Sequence, residues 1–427
     1  MIKKCLYIVL IATISFTTLS ASPNNDIADG GIFPLKVHSN GKHITDNNGK
    51  PFLMVADVAW QMLRKLSYTD AVHYMDQRKA QSFNTFLIQL LPPLPTQRNF
   101  NKIAPFSQNK ISQPNKAYFD YLDKIIGAAK ERGLAVGVVV SRKSWNAVFD
   151  PQGAEAWKAY GEFVGKRYAH HPNIIWIVSE EEYQSAAQFK FIAEGLQNTT
   201  PNNLIASLST CSPTLSIDSS PNKSDLKIVI PDSTVTVSEY ANLANWQKNS
   251  AELSIKPFLI ANSEFPKEIK DQSELIRSQA YQSVMSSAAG FCHMSTIKNF
   301  NPTWKVNITR DGAEYIDHFV KILKGIPWEY MYPNQSPDLL VDTTDQKEIG
   351  IFSLSNNRLS ILYIPVSKSV KLNLNKLRGN EFRTVWYSPR TGRRWAGESS
   401  LPAREVVVSP PDPKAGWDWI LLVGAQD

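Results

Sequence analysis

Cysteine is scarce in this chain, with three in 427 residues, at positions 5, 211 and 292. Cys5 lies in the apolar N-terminal stretch. The remaining pair, Cys211 and Cys292, is too small for a disulfide framework and leaves room for at most one bridge. Both fall in or beside expected strands, where a buried free thiol is the default. Long hydrophobic runs are also missing beyond the N-terminus, so no further membrane span is expected. There is no His-Glu-x-x-His helix, no Gly-x-Ser-x-Gly elbow and no phosphate loop. These absences remove the zinc-protease, serine-hydrolase and nucleotide-binding readings.

Charge of one sign is not concentrated either. Lys and Arg number 46 against 39 Asp and Glu, a formal balance of +7. The densest basic cluster, Arg390 with Arg393 and Arg394, sits in a turn-like Pro389-Arg390-Thr391-Gly392 with no basic groove motif. A nucleic-acid partner is therefore not expected. Mild basicity is compatible with acidic glycans such as pectin. The N-terminus supplies Lys3 and Lys4, an apolar stretch from Cys5 to Leu19, and Leu19-Ser20-Ala21 as a cleavage site. Residues 1–22 thus read as a secretory signal, which places the mature chain outside the cytoplasm, secreted, periplasmic or at the cell surface. Its removal with two lysines and no acid leaves +5.

What is present is an alternation of apolar strands and amphipathic helices. Strands are expected at 52–56, 85–91, 135–140, 174–178, 204–208, 234–237, 257–261 and 291–295. Helices are expected at 69–82, 117–132, 153–169, 184–197, 273–288 and 312–323. In the second helix Tyr118, Tyr121, Leu122, Ile125, Ile126 and Ala129 recur at helical spacing, and Gly133 ends it. Strand–helix alternation implies βαβ units and a parallel sheet. Eight repeats favour a closed barrel, and the Gly-rich turn of an open nucleotide-binding sheet is missing after the first strand. The fold expected is α/β, a (β/α)8 TIM barrel over 32–326. Asn-Gly turns near residues 40 and 48 signal a hairpin, read as a lid on the closed bottom of the barrel. Beyond Lys324 only strand signals appear, at 349–354, 358–364, 370–374, 382–387, 405–408 and 419–423. They fit a small antiparallel β-sandwich over 337–425.

Two strands end in acid. Ile174-Ile175-Trp176-Ile177-Val178-Ser179 runs into Glu180 and Glu181, and Phe258-Leu259-Ile260-Ala261-Asn262-Ser263 runs into Glu264. C-terminal strand ends form the rim where barrels place chemistry. Two carboxyls facing across such a rim are the minimum for cleaving a glycosidic bond. The competing explanation, acids that cap the next helix, suits one strand end better than two. Glu264 is expected as nucleophile. At the other end Glu180, Glu181 and Glu182 repel one another, which raises the proton affinity of at least one and suits a general acid. Glu181 is taken as acid/base, with Glu180 as the alternative. Asp57 and Trp60 after the first strand, Arg142 and Trp145 after the third, Glu180, and Glu239 and Tyr240 after the sixth are candidates to hold the sugar. Asp57 also fits a helix N-cap. His293 reads as a packed core histidine.

At these residues the chain resembles the apiosidase-like catalytic domain of bacterial secreted proteins, related to glycoside hydrolase family 140. That domain is followed in many relatives by a small collagen-binding-type β domain. Ala56-Asp57-Val58-Ala59-Trp60 is similar to the family's Gly-Asp-Thr-Ala-Trp. Ile174 to Glu181 resembles its Ile-Ile-Trp-Ile-Leu-Gly-Gly-Asp, and Ala261-Asn262-Ser263-Glu264 resembles its second acid segment. Trp386-Tyr387-Ser388-Pro389-Arg390-Thr391-Gly392 is similar to the tail domain's Trp-Tyr-Asp-Pro-Arg-Thr-Gly. The resemblance implies a retaining glycosidase without metal or organic cofactor, with Glu181 at the acid/base position and Glu264 at the nucleophile. The departures, Ser179-Glu180-Glu181 for Gly-Gly-Asp and Thr210-Cys211-Ser212-Pro213 for Thr-Tyr-His-Pro, fall on the substrate side. They leave two alternatives open: a carbohydrate-binding protein on a decayed enzyme, and a surface adhesin.

Overall fold

The computed structural model of the chain describes residues 31–180, 186–211, 224–231, 256–262, 273–310, 312–333, 338–341, 349–354, 356–414 and 416–426. It opens with a hairpin of β1 (Lys36–Val37) and β2 (Ile44–Thr45). The barrel strands follow: β3 (Met54–Val58), β4 (Thr85–Gln89), β5 (Ala135–Val139), β6 (Ile174–Glu180), β7 (Ile205–Cys211), β8 (Leu226–Pro231), β9 (Phe258–Ala261) and β10 (Gly290–His293). Among the described residues these eight parallel strands close into a barrel in chain order, β10 pairing with both β9 and β3. The expected (β/α)8 architecture is therefore present. Its sixth strand is β8, not 234–237, which lies outside the described residues. Ile228-Val229-Ile230 stopped by Pro231 is the continuous apolar run of a strand buried on both faces. The alternating Thr-Val-Thr-Val at 234–237 has instead the period of a half-exposed strand.

Helices α1 (Tyr68–Ala80), α2 (Lys116–Glu131), α3 (Gly153–Tyr168), α4 (Ala186–Thr199), α5 (Ser273–Met285) and α6 (Ala313–Leu323) lie within two or three residues of the expected positions at most ends. Their ends have local causes. The Ser67 hydroxyl accepts from Asp70 N–H at the start of α1, and Asn115 accepts from Ala117 N–H at the start of α2. Gly133, at φ +65°, turns the chain out of α2 into β5. Around β6 the helices approach backbone to backbone. A Cβ on Gly161 of α3 would meet the Ile192 carbonyl, and one on Gly195 of α4 would meet that of Lys158.

Strand alternation sorts the apolar residues into two layers. Ala56, Val58, Leu87, Val139, Ile175, Ile177, Ala206, Leu208, Leu259, Ala261 and Cys292 fill the barrel. Leu35, Ile44 and Phe52 join them from the hairpin side, so the hairpin plugs the N-terminal end as expected. Phe86, Ile88, Val136, Val138, Trp176 and Val178 face outward onto the helices. Cys292 is buried and free.

The C-terminal region builds β11 (Met331–Pro333), β12 (Gly350–Leu354), β13 (Leu359–Ile364), β14 (Val370–Asn373), β15 (Glu381–Tyr387), β16 (Arg394–Ala396), β17 (Leu401–Pro402), β18 (Glu405–Val408) and β19 (Trp419–Ala425). One antiparallel sheet runs β11-β12-β13-β19-β15-β16, with β17 on β15, and β14 pairs with β18 separately. Trp419, Leu421 and Val423 face the β14–β18 side, where they pack with Leu372 and Val408. Ile420 faces the other way and joins Ile361, Tyr363 and Phe352 against Ile276 and Tyr281 of α5 and Phe319 of α6. Tyr281 and Tyr363 stack at 5.5 Å.

At the edge of this shared core the Arg277 guanidinium grips Asp418 through Nε at 2.7 Å and Nη2 at 3.1 Å. Tyr363 donates to the same carboxylate at 3.0 Å. Burial opposes the guanidinium charge, but the Asp418 contact outweighs it and raises the Arg277 pKa above its ordinary value. Removing one partner of such a pair leaves a buried charge unanswered. Asp418→Ala is therefore expected to cost about 3–5 kcal/mol in urea unfolding. Lys371→Ala, which breaks an ion pair whose side chains are 45% and 49% exposed, should cost at most about 1 kcal/mol.

Candidate active site

The rim of the barrel is formed by the C-terminal ends of β3 to β10. β6 and β9, the fourth and seventh barrel strands, carry the two acid-terminated segments. The chain reaches Glu180 as the last residue of β6 and Asn262 just beyond β9. Glu181, Glu264, Glu239 and Tyr240 lie outside the described residues. Toward its end β6 carries an irregularity. Ile177 pairs with Ala206, but Ser179 pairs with Ser207 and Glu180 with Leu208, so the register shifts between Ile177 and Ser179. An extra residue of this kind shifts the pairing of the positions that follow it. Glu180 consequently stands in register with Leu208, a residue of the interior column.

From β3 round to β5, the neighbour of β6, the mouth is lined by the ends of three strands. Gln89 ends β4 on the same side as the interior Leu87, and its amide oxygen accepts from Arg142 Nη1 at 2.6 Å. Trp60 is half-buried against the interior cluster, and its carbonyl accepts from Gln89 N–H at 3.3 Å. The structure thus brings Trp60, Gln89 and Arg142 together at the mouth. Gln89 was not among the sequence candidates. A polar residue closing the run Thr85-Phe86-Leu87-Ile88 is the same signal that marked the two acids.

Two candidates are placed elsewhere. Trp145 is fully buried, donates from Nε1 to the Pro92 carbonyl at 2.8 Å, and packs edge-on against Phe106 in the outer layer. It presents no open face to a sugar ring. Asp57 alternates with the interior Ala56 and Val58 and so faces the helix layer. There its carboxylate accepts from Tyr74 Oη at 2.5 Å, from Arg78 Nε at 2.7 Å and bonds His293 Nδ1 at 2.8 Å. All four side chains are buried. Asp57 is neither a rim contact nor a helix cap but the centre of a buried polar cluster, and His293 is a packed residue, as expected.

Burial pushes the Asp57 carboxyl pKa up. Arg78, with His293 and Tyr74, more than reverses that and holds it below the ordinary carboxylate range. A depressed carboxyl contributes stability that is complete above its unfolded pKa and is lost as pH falls through the folded one. Asp57→Asn keeps the shape but strands the Arg78 charge, and is expected to cost about 3–5 kcal/mol near neutral pH. In urea titrations the gap between wild type and Asp57→Asn should stay constant from pH 8 to 5. It should narrow below about pH 4, the unfolded carboxyl value. A gap independent of acid would contradict the ionised cluster.

Two further polar devices sit at the rim. Asn262 accepts Met294 N–H at 2.5 Å and donates to the Met294 carbonyl at 3.2 Å. Gln61 donates to Asn299 Oδ1 at 3.1 Å, tying the segment after β3 to the one after β10.

A family model described as "Apiosidase-like, catalytic domain" matches residues 38–330. A second, described as "Putative collagen-binding domain of a collagenase", matches residues 333–424. No curated protein matches. Among solved structures, one described as a glycoside hydrolase is similar at TM-score 0.78 and 19% identity, over 92% of this chain and 97% of its own. A glycoside hydrolase family 5 protein from Bacteroides vulgatus is similar at TM-score 0.79 and 18% identity, over 92% and 93%. At such identity the likeness is one of fold.

Proposed function

The chain belongs to the apiosidase-like catalytic domain family, and from that premise we propose that it is a secreted glycoside hydrolase that trims polysaccharide side chains with two carboxylates. The observation that carries the reading is positional. The strands that lead into the two acid-bearing segments occupy the fourth and seventh places of a closed barrel, which supports a shared rim for the two acids. Trp60, Gln89 and Arg142 supply an apolar surface and hydrogen-bonding groups across the mouth.

In the proposed reaction Glu264 attacks the anomeric carbon while Glu181 gives its proton to the leaving oxygen. A glycosyl ester forms on Glu264. Glu181, now a carboxylate, takes a proton from water, and that water breaks the ester and releases the sugar. Net configuration is retained, which requires carboxyls about 5–5.5 Å apart; an inverting enzyme needs roughly 6.5–9.5 Å. The register position of Glu180 beside Leu208 keeps it as the alternative acid/base.

A product-release screen on pectic and other plant glycans, followed by variants on the first positive substrate, tests this. Glu264→Gln is expected to lower turnover by at least about 10⁴-fold, about 5.5 kcal/mol of activation barrier, while glycan binding persists. Glu181→Gln should lower it on natural linkages but spare aryl glycosides whose leaving group needs no proton. If Glu180→Gln shows that leaving-group pattern instead, the acid/base is Glu180. Wild-type turnover by Glu264→Gln refutes the mechanism, and binding without any released sugar points to a decayed enzyme that only binds.

A further inference from the structure

The C-terminal sheet domain has one face committed to α5 and α6 and the other covered by β14 and β18. One end, where the turn after β15, the edge strand β16 and the segment before β19 meet, is open among the described residues. A column of alternating cations and indoles lies there. Arg393 sits over the Trp395 ring at 4.9 Å. Trp395 meets Trp419 edge-on at 5.3 Å. Arg390 lies over Trp419 at 5.1 Å and over Trp417 at 4.1 Å, and Lys414 lies over Trp417 at 4.6 Å.

The inner half of this column has a structural account. Trp419 is fully buried, and Arg390 Nη1 donates to the Asp418 carbonyl at 2.7 Å and to its carboxylate at 3.2 Å. At the two ends Trp395 and Trp417 pack one side against the domain core and leave the rest open. Trp395 and Trp417 are only half-buried, and Arg393, Arg394 and Lys414 are exposed. Among the described residues the acids bonded to this column are Asp412 and Asp418. Asp418 is buried and bound to Arg277. Asp412 stands 3.8 Å from Lys414. Glu398 accepts from the Thr384 hydroxyl at 2.7 Å. The local balance is positive, and two indoles separated only by Trp419 and Arg390 share one open end.

We propose that this end of the C-terminal domain is a binding surface for an acidic polysaccharide. The apolar faces of its sugar rings would lie on the exposed parts of Trp395 and Trp417, and its uronate carboxylates would meet Arg393 and Lys414. Indoles offer such rings a flat, rigid surface at low entropic cost. Guanidinium and ammonium groups give carboxylates charge-assisted hydrogen bonds. The surface is far along the chain from the barrel acids and does not depend on their chemistry.

Affinity electrophoresis of the full chain tests it, in native gels cast with polygalacturonate or with neutral mannan. Wild type is expected to be retarded by polygalacturonate and not by mannan, with the retardation weakening as salt rises. The double variant Arg393→Glu/Lys414→Glu should weaken binding at least about tenfold. Trp395→Ala should weaken it several-fold while far-UV circular dichroism and the melting temperature show an intact fold. Lys110→Glu, an exposed charge reversal on the barrel, should bind as wild type. Absence of retardation in wild type overturns the proposal. So does wild-type retardation of Arg393→Glu/Lys414→Glu, which would put the polymer elsewhere, or an equal loss in Lys110→Glu or no loss in Trp395→Ala, either of which would mean diffuse charge alone.

Discussion

The seam between β10 and β3 is the constraint on which the barrel depends, because a parallel sheet with an open edge would leave backbone groups unpaired and the interior exposed. Two unlike contacts hold it. At the lower end Gly290 pairs with Met54 so closely that any Cβ would strike the Met54 carbonyl. At the upper end His293 pairs with Asp57, and their side chains bond in the buried layer behind the strands. Arg78 and Tyr74 extend that bond to α1, so the last strand, the first strand and the first helix share one carboxylate. A charge buried this completely is tolerated only because each partner is satisfied. The rim is therefore built on an ionic knot just outside the barrel wall.

That arrangement explains what could be read from the sequence and what could not. Barrel strands buried on both faces announce themselves as short apolar runs, and the helices between them by period and by caps such as Ser67 and Asn115. Asp57 was visible as a strand-end acid, but its side is set by parity. Ala56 and Val58 had to be assigned to the interior before Asp57 could be assigned to the helix layer. No local pattern links it to Arg78 or His293. The register shift in β6 is equally silent, since it follows from pairing with β7 and not from a local pattern, yet it decides which residues the strand end pairs with. The sixth strand was misplaced because Thr234 to Val237 alternates, whereas Leu226–Pro231 owes its place to pairing with β7 and β9.

The two regions of the chain are one mechanical unit. β11 begins directly after the last barrel helices and pairs with β12. Ile276, Tyr281 and Phe319 of the barrel and Ile361, Tyr363 and Ile420 of the sheet form one cluster. Each fully buried side chain of this kind stabilises by roughly 1.5–3 kcal/mol. A barrel stripped of the sheet would expose that face to water. Deleting the C-terminal domain would therefore disturb that face of the barrel as well as remove the sheet, and point substitutions such as Trp395→Ala separate the roles more cleanly.

The same economy reaches the acid-bearing rim. The two carboxylates proposed to act on one sugar would have to be held to about 0.5 Å, which rigid strand ends supply better than free loops do. On the β9 side the strand itself ends at Ala261, and side-chain bonding takes over. Asn262 offers Met294 both an acceptor and a donor, reproducing with its amide the pair of bonds a neighbouring strand would give. Its backbone N–H continues the ladder to Cys292. The chain is thus fixed to β10 two residues before Glu264, and β10 is fixed to β3 through Asp57. Support for the proposed nucleophile runs through a buried amide and a buried carboxylate, neither of which needs to touch substrate.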